Sequence, residues 1–344
     1  MKKAIIAAIA ALALCVGAIA GCASNIQNPN ASSSSSPAAP SAQGSADGKI
    51  SVVCATFPAY DWVRQIVGDQ ADRFDVTYLM GSGTDLHSYQ PTVEDIAKIT
   101  DADLFVYVGG ESDEWAADAV RAAANSNLHT VCMLEAIGDA AVEEEVVEGM
   151  QEENEEPAKE STEEGPEYDE HVWLSLRNAQ VLVDAIASEL AAIDPQGSSA
   201  YAANADAYKA DLAALDARYA DAVKAGAKDT VVFADRFPFR YLADDYGLKY
   251  YAAFVGCSAD AEASFETVAF LAKKVDELGL DAVLVIEKSD QGIARTVVET
   301  TEAKNQDILV MDSLQSATQA EADAGKTYLG AMEDNLAVLS AALA

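Results

Sequence analysis

Basic residues and histidines are both scarce in this chain of 344 residues: 22 Lys and Arg face 57 Asp and Glu, for a formal charge of −35, and there are three histidines. A surface of that sign repels phosphate backbones, so nucleic acid is excluded as a partner, while a cation is favoured. Cysteine is sparse too, with five copies. Cys15 and Cys22 belong to the N-terminal leader region, which leaves Cys54, Cys132 and Cys257. None of these stands in a CxxC or other close ligand spacing, and an odd number cannot all pair internally. They read as small core residues, with one disulfide left open. HExxH, GxSxG and HxH are absent, which argues against a zinc hydrolase on the cell surface, since catalysis needs an open metal position beside a base.

What is present begins with a processing signal. Lys2 and Lys3 precede an apolar run over residues 4–20, and Ile19-Ala20-Gly21-Cys22 has the small-residue cleavage site followed by cysteine that marks a bacterial lipoprotein. The run is marginal for a spanning helix. Residues 1–21 are therefore expected to be removed, with Cys22 becoming the lipidated first residue. The following stretch to residue 48 is rich in Ser, Ala, Pro and Asn and carries five consecutive serines at 32–36. Such composition cannot bury enough apolar surface to fold and reads as a flexible tether.

The remaining body, half-hydrophobic in composition, alternates short apolar runs with helical patterns. Strands are expected at 49–55, 74–79, 104–108 and 128–133, then at 230–234, 249–255, 282–286 and 308–311, with helices between them. That rhythm predicts an α/β fold of two doubly wound parallel sheets, an N-terminal lobe over 49–196 and a C-terminal lobe over 227–344. Between them, Tyr201, Ala205, Tyr208, Leu212, Leu215 and Tyr219 form one apolar stripe. It predicts a single rigid linker helix within 197–226, about 40 Å long at roughly 1.5 Å per residue. Residues 141–170 differ in character: fourteen acidic side chains lie between 143 and 170 against the single Lys159, which reads as a mobile, cation-attracting or merely solvated loop.

Two of the three histidines sit in compact aromatic and acidic settings, Asp85-Leu86-His87-Ser88-Tyr89 and Asp169-Glu170-His171-Val172-Trp173. Imidazoles flanked by carboxylates suit zinc or manganese, because neutral nitrogen coordinates the ion while acids orient the ring. A lone histidine is more often held by ordinary hydrogen bonds; two such settings suggest one shared ion. His87 also follows a strand and a glycine turn, the carboxyl end where ligands of parallel sheets gather. Glu287, ending a strand, and Glu111, after Gly109-Gly110, occupy similar places, though either serves equally as a helix cap. Trp62, Tyr89 and Trp115 read as packing residues and His129 as structural.

The mature body resembles the zinc and manganese solute-binding lipoproteins of bacterial ABC transporters, whose two lobes are joined by one rigid helix with the metal in the cleft between them. The elements that carry the resemblance are the lipobox, GTDLHSYQPTVEDIAKITDADLFVYVGG, DEHVWLSLRNA, IDPQGSSAYAANADAYKADLAALD, RYLADDYGL and VMDSLQS, in the family's order over roughly residues 50–343. The resemblance implies His87, His171 and Asp312 as metal ligands, an extracytoplasmic, lipid-anchored monomer, and a cognate permease and ATPase as partners.

One position departs from the pattern. Where the family carries histidine or glutamate this chain has Arg236, whose guanidinium has no lone pair to give. Asp235 then becomes the substitute ligand if the turn shifts, and Arg236 either steadies Asp312, Glu287 or Asp235 or forms a salt bridge on the lobe face. Carboxylate in place of imidazole moves preference toward harder ions such as manganese. Two imidazoles still keep zinc ahead, with an apolar or anionic cargo as the remaining option. A surface adhesin or scaffold on the same fold, with an altered or lost metal site, is the alternative that Arg236 supports.

Overall fold

A computed structural model describes residues 48–151, 167–258 and 262–344, which fall in one compact unit. The leader, Cys22, the tether and the middle of the acidic loop lie outside the described residues.

The first half builds a four-stranded sheet from β1 (Ile50–Cys54), β2 (Phe74–Tyr78), β3 (Leu104–Tyr107) and β4 (His129–Cys132), in spatial order β2-β1-β3-β4 with every pair parallel. Helices α1 (Phe57–Val67), α2 (Val93–Asp101), α3 (Glu114–Arg121) and α4 (Met133–Ile137) connect or follow these strands. Thr92 and Asp95 exchange hydrogen bonds in a capping box that starts α2, the signal legible in Thr92-Val93-Glu94-Asp95. After the acidic segment, α5 (Leu176–Ile193) starts at Ser175, whose hydroxyl accepts from the backbone of Arg177 and Asn178. The 28-residue α6 (Ser198–Ala225) follows, and its buried residues are the predicted stripe from Tyr201 to Tyr219.

The second half repeats the plan. β5 (Thr230–Phe237), β6 (Lys249–Val255), β7 (Ala282–Ile286) and β8 (Asp307–Met311) form a parallel sheet in order β6-β5-β7-β8, the same permutation as the first. Its helices are α7 (Arg240–Tyr246), α8 (Phe265–Leu278), α9 (Gly292–Thr300), α10 (Gln319–Asp323) and α11 (Tyr328–Ala342). The short α7 and α10 carry too few apolar repeats to be seen in the sequence pattern. Near its end β5 carries an extra residue against β6, because the register shifts between Phe233 and Arg236. Such a bulge re-aims the side chains that follow it.

The lobes share one core. The main buried cluster contains Val52 and Phe105 of the first sheet, Tyr201 and Tyr219 of α6, and Phe233 and Leu284 of the second sheet. Polar contacts cross between the halves as well: the Trp173 indole donates to the Ser313 carbonyl at 2.9 Å, the Tyr328 hydroxyl to the Trp173 carbonyl at 2.6 Å, and the Tyr78 hydroxyl to the Ala317 carbonyl at 2.9 Å. Burying these donors without partners would cost about 1–3 kcal/mol each, so the halves are fixed in one relative orientation. The flanks of the acidic segment are docked: the Glu144 amide donates to Glu167, the Gln151 amide donates to Ala253 of β6, and Arg240 pairs with Glu145 at 3.0 Å. The expectation of a loop mobile throughout 141–170 is corrected for these flanks, because the second lobe supplies backbone and cationic partners that composition does not reveal.

A shared core predicts one cooperative unfolding transition for the folded body, and two resolved transitions in denaturant would contradict it. Leu212→Ala, in the buried stripe of α6, is expected to destabilise the protein by about 2–5 kcal/mol. Asp211→Ala, one residue away on the exposed side, should change stability by no more than about 0.5 kcal/mol.

Candidate metal centre

His87 lies in a single 3-10 turn, Leu86–Ser88, just after β2. The Asp85 carboxylate accepts the His87 backbone amide at 3.0 Å and fixes the turn. His171 immediately precedes another 3-10 turn, Val172–Leu174, and Asp169 accepts its backbone amide at 2.8 Å in the same way. Two short Asx-type turns thus present two imidazoles to each other, with His87 Nε2 and His171 Nε2 3.1 Å apart. A tetrahedral ion with bonds of ~2.0–2.1 Å to each nitrogen would hold them about 3.3 Å apart, so the pair is already close to the spacing an ion requires.

The outer nitrogens are anchored by different groups. His171 Nδ1 lies 2.9 Å from Asp169 Oδ1, and His87 Nδ1 lies 2.7 Å from Ser112 Oγ and 3.5 Å from Glu170 Oε2. Glu170 is held in turn by the Ser112 amide at 2.8 Å, while its Oε2 is buried without a hydrogen-bond partner among the described residues. Partners of this kind on Nδ1 orient each ring and leave its Nε2 facing the other imidazole. Burial and the neighbouring His171 push the His87 pKa down to about 3, against an opposing pull from Asp85. Burial also works against the charged form of His171, but the Asp169 carboxylate, with Glu170 and Glu144 behind it, outweighs it and raises that pKa. The two shifts run in opposite directions, so His171 holds its proton to a higher pH than His87 does.

Glycines make the close approach feasible. A Cβ on Gly256 would stand 2.9 Å from His171 Cε1 and 3.0 Å from Nδ1, and one on Gly110 would overlap the Glu170 carboxylate. Gly256 belongs to the turn after β6, whose next residue is Cys257. The Cys257 sulfur lies with one nitrogen of each imidazole in a group whose ligand atoms are all within 4.8 Å of one another. The Cys257 amide donates to Glu144 at 3.0 Å, which ties the acidic flank to the centre. All three body cysteines are free thiols, so the open disulfide is not formed.

The other expected ligands stand elsewhere. Asp312 does not complete the shell: its carboxylate is 2.5 Å from Lys326 Nζ and accepts the Leu314 amide, in a depression shared with Asn335 and Val338. Two residues on, Leu314 adopts φ 64°, and the next residue, Gln315, is buried. Gln315 is close enough to His87 to favour its protonated form, and both polar atoms of its carboxamide are buried without a hydrogen-bond partner among the described residues. Asp235 does not substitute either. It accepts the Arg236 amide at 2.9 Å and lines a neighbouring cleft of about 430 Å³ with Asp85, Arg236, Glu287 and Lys288.

Arg236 steadies none of Asp312, Glu287 or Asp235 through its guanidinium. It forms an interlobe salt bridge with Asp85 at 2.7 Å and donates to the Ser258 carbonyl at 3.3 Å. Despite burial, that guanidinium holds the Asp85 carboxyl below its usual range, so Asp85 remains an acceptor for the His87 turn. Glu287 organises backbone: it accepts from the Ser313 amide and hydroxyl, both at 2.7 Å. Glu111 is exposed, Trp62 is buried against Tyr328, Tyr89 packs on Trp115, and His129 pairs with Glu189 at 2.6 Å, away from the centre.

Comparison with known proteins places these features in context. A family model described as zinc-uptake complex component A, periplasmic, matches residues 52–342. The zinc-binding lipoprotein AdcA of Streptococcus pneumoniae is 35% identical over 301 residues, 87% of this chain and 57% of its own length. The chain thus spans somewhat over half of that relative. The high-affinity zinc uptake system protein ZnuA of Bacillus subtilis is 31% identical over 306 residues, covering 88% of this chain and 91% of that protein. The crystal structure of the Zn(II)-bound ZnuA-like domain of S. pneumoniae AdcA superposes with a TM-score of 0.66 at 30% identity, over 86% of this chain and 99% of that domain.

Gly256→Ala is expected to displace the His171 ring and weaken binding of a divalent ion at the pair by about tenfold or more while the protein stays folded, as read by calorimetric titration with zinc. Unchanged affinity would mean that the ring does not bind where the turn holds it.

Proposed function

This chain belongs to the zinc-uptake complex component A family, and from that membership together with the facing imidazoles we propose that it captures a divalent metal ion, zinc before manganese, outside the cytoplasmic membrane. The cargo passes to a cognate ABC permease driven by its ATPase. The protein acts as a lipid-anchored monomer held by Cys22, a reading supported by the Ile19-Ala20-Gly21-Cys22 signal and by the lipoprotein name of the pneumococcal relative. Among the described residues no helix is long and apolar enough to cross a membrane. The function is binding and delivery, with no catalytic step.

The observation that carries this reading is the 3.1 Å approach of two Nε2 atoms whose outer nitrogens are already anchored. Two buried imidazoles held with their Nε2 atoms 3.1 Å apart favour capture of a cation over a scaffold or adhesin that has lost its ion. The incoming ion displaces the proton on His171 and exchanges water for nitrogen. Asp169 then increases the basicity of His171, and Ser112 with Glu170 keeps the His87 ring aligned. Because core packing and buried hydrogen bonds span both halves, uptake involves slight tilt and loop adjustment rather than a wide hinge, and docking to the permease supplies the work of release.

Zinc at about 1,000 times its Kd is expected to add about 4 kcal/mol of stability, read as a raised melting temperature, and His87→Ala or His171→Ala should abolish most of that gain. If both variants are stabilised as much as the parent, the imidazole pair is not the capture site. Affinity should also rise with pH: His171 keeps its proton to a pH above the ordinary histidine value, so the ion competes with that proton under acid conditions and ceases to do so above the raised pKa. Equal affinities at pH 5 and pH 7 would contradict imidazole ligation.

A further inference from the structure

Two imidazoles do not close a coordination shell, and the carboxylates expected to complete it are engaged elsewhere. Asp312 is paired with Lys326, and Asp235 accepts the next backbone amide and lines the neighbouring cleft. The residue at the departing family position, Arg236, has no lone pair and is tied to Asp85. Among the described His, Cys, Asp and Glu side chains, the one that gathers with both rings into a group of possible ligand atoms is Cys257, through its sulfur.

Its placement is built. Gly256 gives the turn room to pass against His171, where any side chain would collide, and Glu144 fixes the Cys257 backbone. A tetrahedral ion bonded to sulfur at ~2.3 Å and to nitrogen at ~2.0–2.1 Å sets sulfur and nitrogen about 3.6 Å apart, within the spread of this group. A second feature points into the same place: Gln315 is buried beside His87, and neither polar atom of its carboxamide makes a hydrogen bond of normal geometry among the described residues. Orphaned polar atoms inside a core signal a missing partner.

We propose that Cys257 is a thiolate ligand of the captured ion, completing a two-histidine, one-cysteine set with the Gln315 carboxamide oxygen in the fourth position. This rests on the reading of His87 and His171 as the capture site and deepens it. As the metal–sulfur bond forms, the thiol proton leaves to solvent; no electron is transferred. One thiolate offsets half the charge of a divalent cation; burial and the nearby Glu144, Asp169 and Glu170 carboxylates push the Cys257 thiol well up, so it is the arriving cation that displaces the thiol proton. A soft sulfur donor turns selectivity toward thiophilic ions such as zinc, cadmium and cobalt and away from manganese and magnesium, which prefer oxygen. Cys257 thereby reverses the shift toward harder ions that replacing a family imidazole with carboxylate would bring.

The test is cobalt titration of the reduced full chain, followed by absorption spectroscopy. The parent should show an intense sulfur-to-cobalt charge-transfer band in the near ultraviolet. Cys257→Ser and Cys257→Ala should lose that band yet retain weak visible cobalt bands from the imidazoles, and Cys132→Ser should keep it. In parallel, the ratio of zinc to manganese affinity should fall by about tenfold or more in both Cys257 variants. Metal-free melting temperatures close to the parent's would confirm that these variants fold. A parent lacking the charge-transfer band, while His87→Ala and His171→Ala still abolish cobalt binding, overturns the thiolate ligand and leaves the capture site intact. Cobalt binding that survives both histidine substitutions overturns both readings.

Discussion

The central constraint is the meeting of two imidazole nitrogens at 3.1 Å inside the protein. Nitrogen lone pairs at that spacing repel unless something positive lies between them, either a shared proton or a metal ion. Much of the surrounding architecture serves to keep the pair together without removing its affinity for a cation. Asp169 holds one ring from behind, Ser112 and Glu170 hold the other, and Asp85 ties the first turn to Arg236 across the lobe boundary. Asp169 and Glu170 stand on the Nδ1 side of the rings, away from the Nε2 contact.

This arrangement depends on two parallel sheets of identical strand order with their strand ends brought against one another. Each sheet leaves turns at the carboxyl ends of its strands, the position where ligands collect in such folds. The turn after β2 supplies His87 and the turn after β6 supplies Cys257, while His171 enters from the segment that joins the acidic flank to α5. The main buried cluster, which spans both lobes, and the bonds from Trp173, Tyr328 and Tyr78 across them keep these turns in register. The long helix α6 joins the two halves and lines that core along its Tyr201 to Tyr219 stripe.

Much of this was legible in the residues. Strand and helix rhythm identified the eight strands because buried parallel strands read as unbroken apolar runs, and the α6 stripe emerged because its period matches a helix. His87 and His171 were legible because each is framed by local acids whose hydrogen bonds act over two residues. Cys257 was not, since its partners lie far away in the chain and a lone cysteine has no local pattern. Asp312 illustrates the opposite case: a carboxylate after a strand is placed by pattern at the cleft, but in the fold it pairs with Lys326 and accepts the Leu314 amide. Arg236 was recognised as unable to ligate, yet its partner, Asp85, is 151 positions away and belongs to the other lobe.

The most direct measurement is anomalous X-ray diffraction at the zinc absorption edge from crystals grown with the metal. The account predicts one fully occupied peak within bonding distance of both His87 Nε2 and His171 Nε2. A zinc peak bound by the Asp312 or Asp235 carboxylate and away from the two imidazoles, or no peak despite saturating zinc, would contradict it.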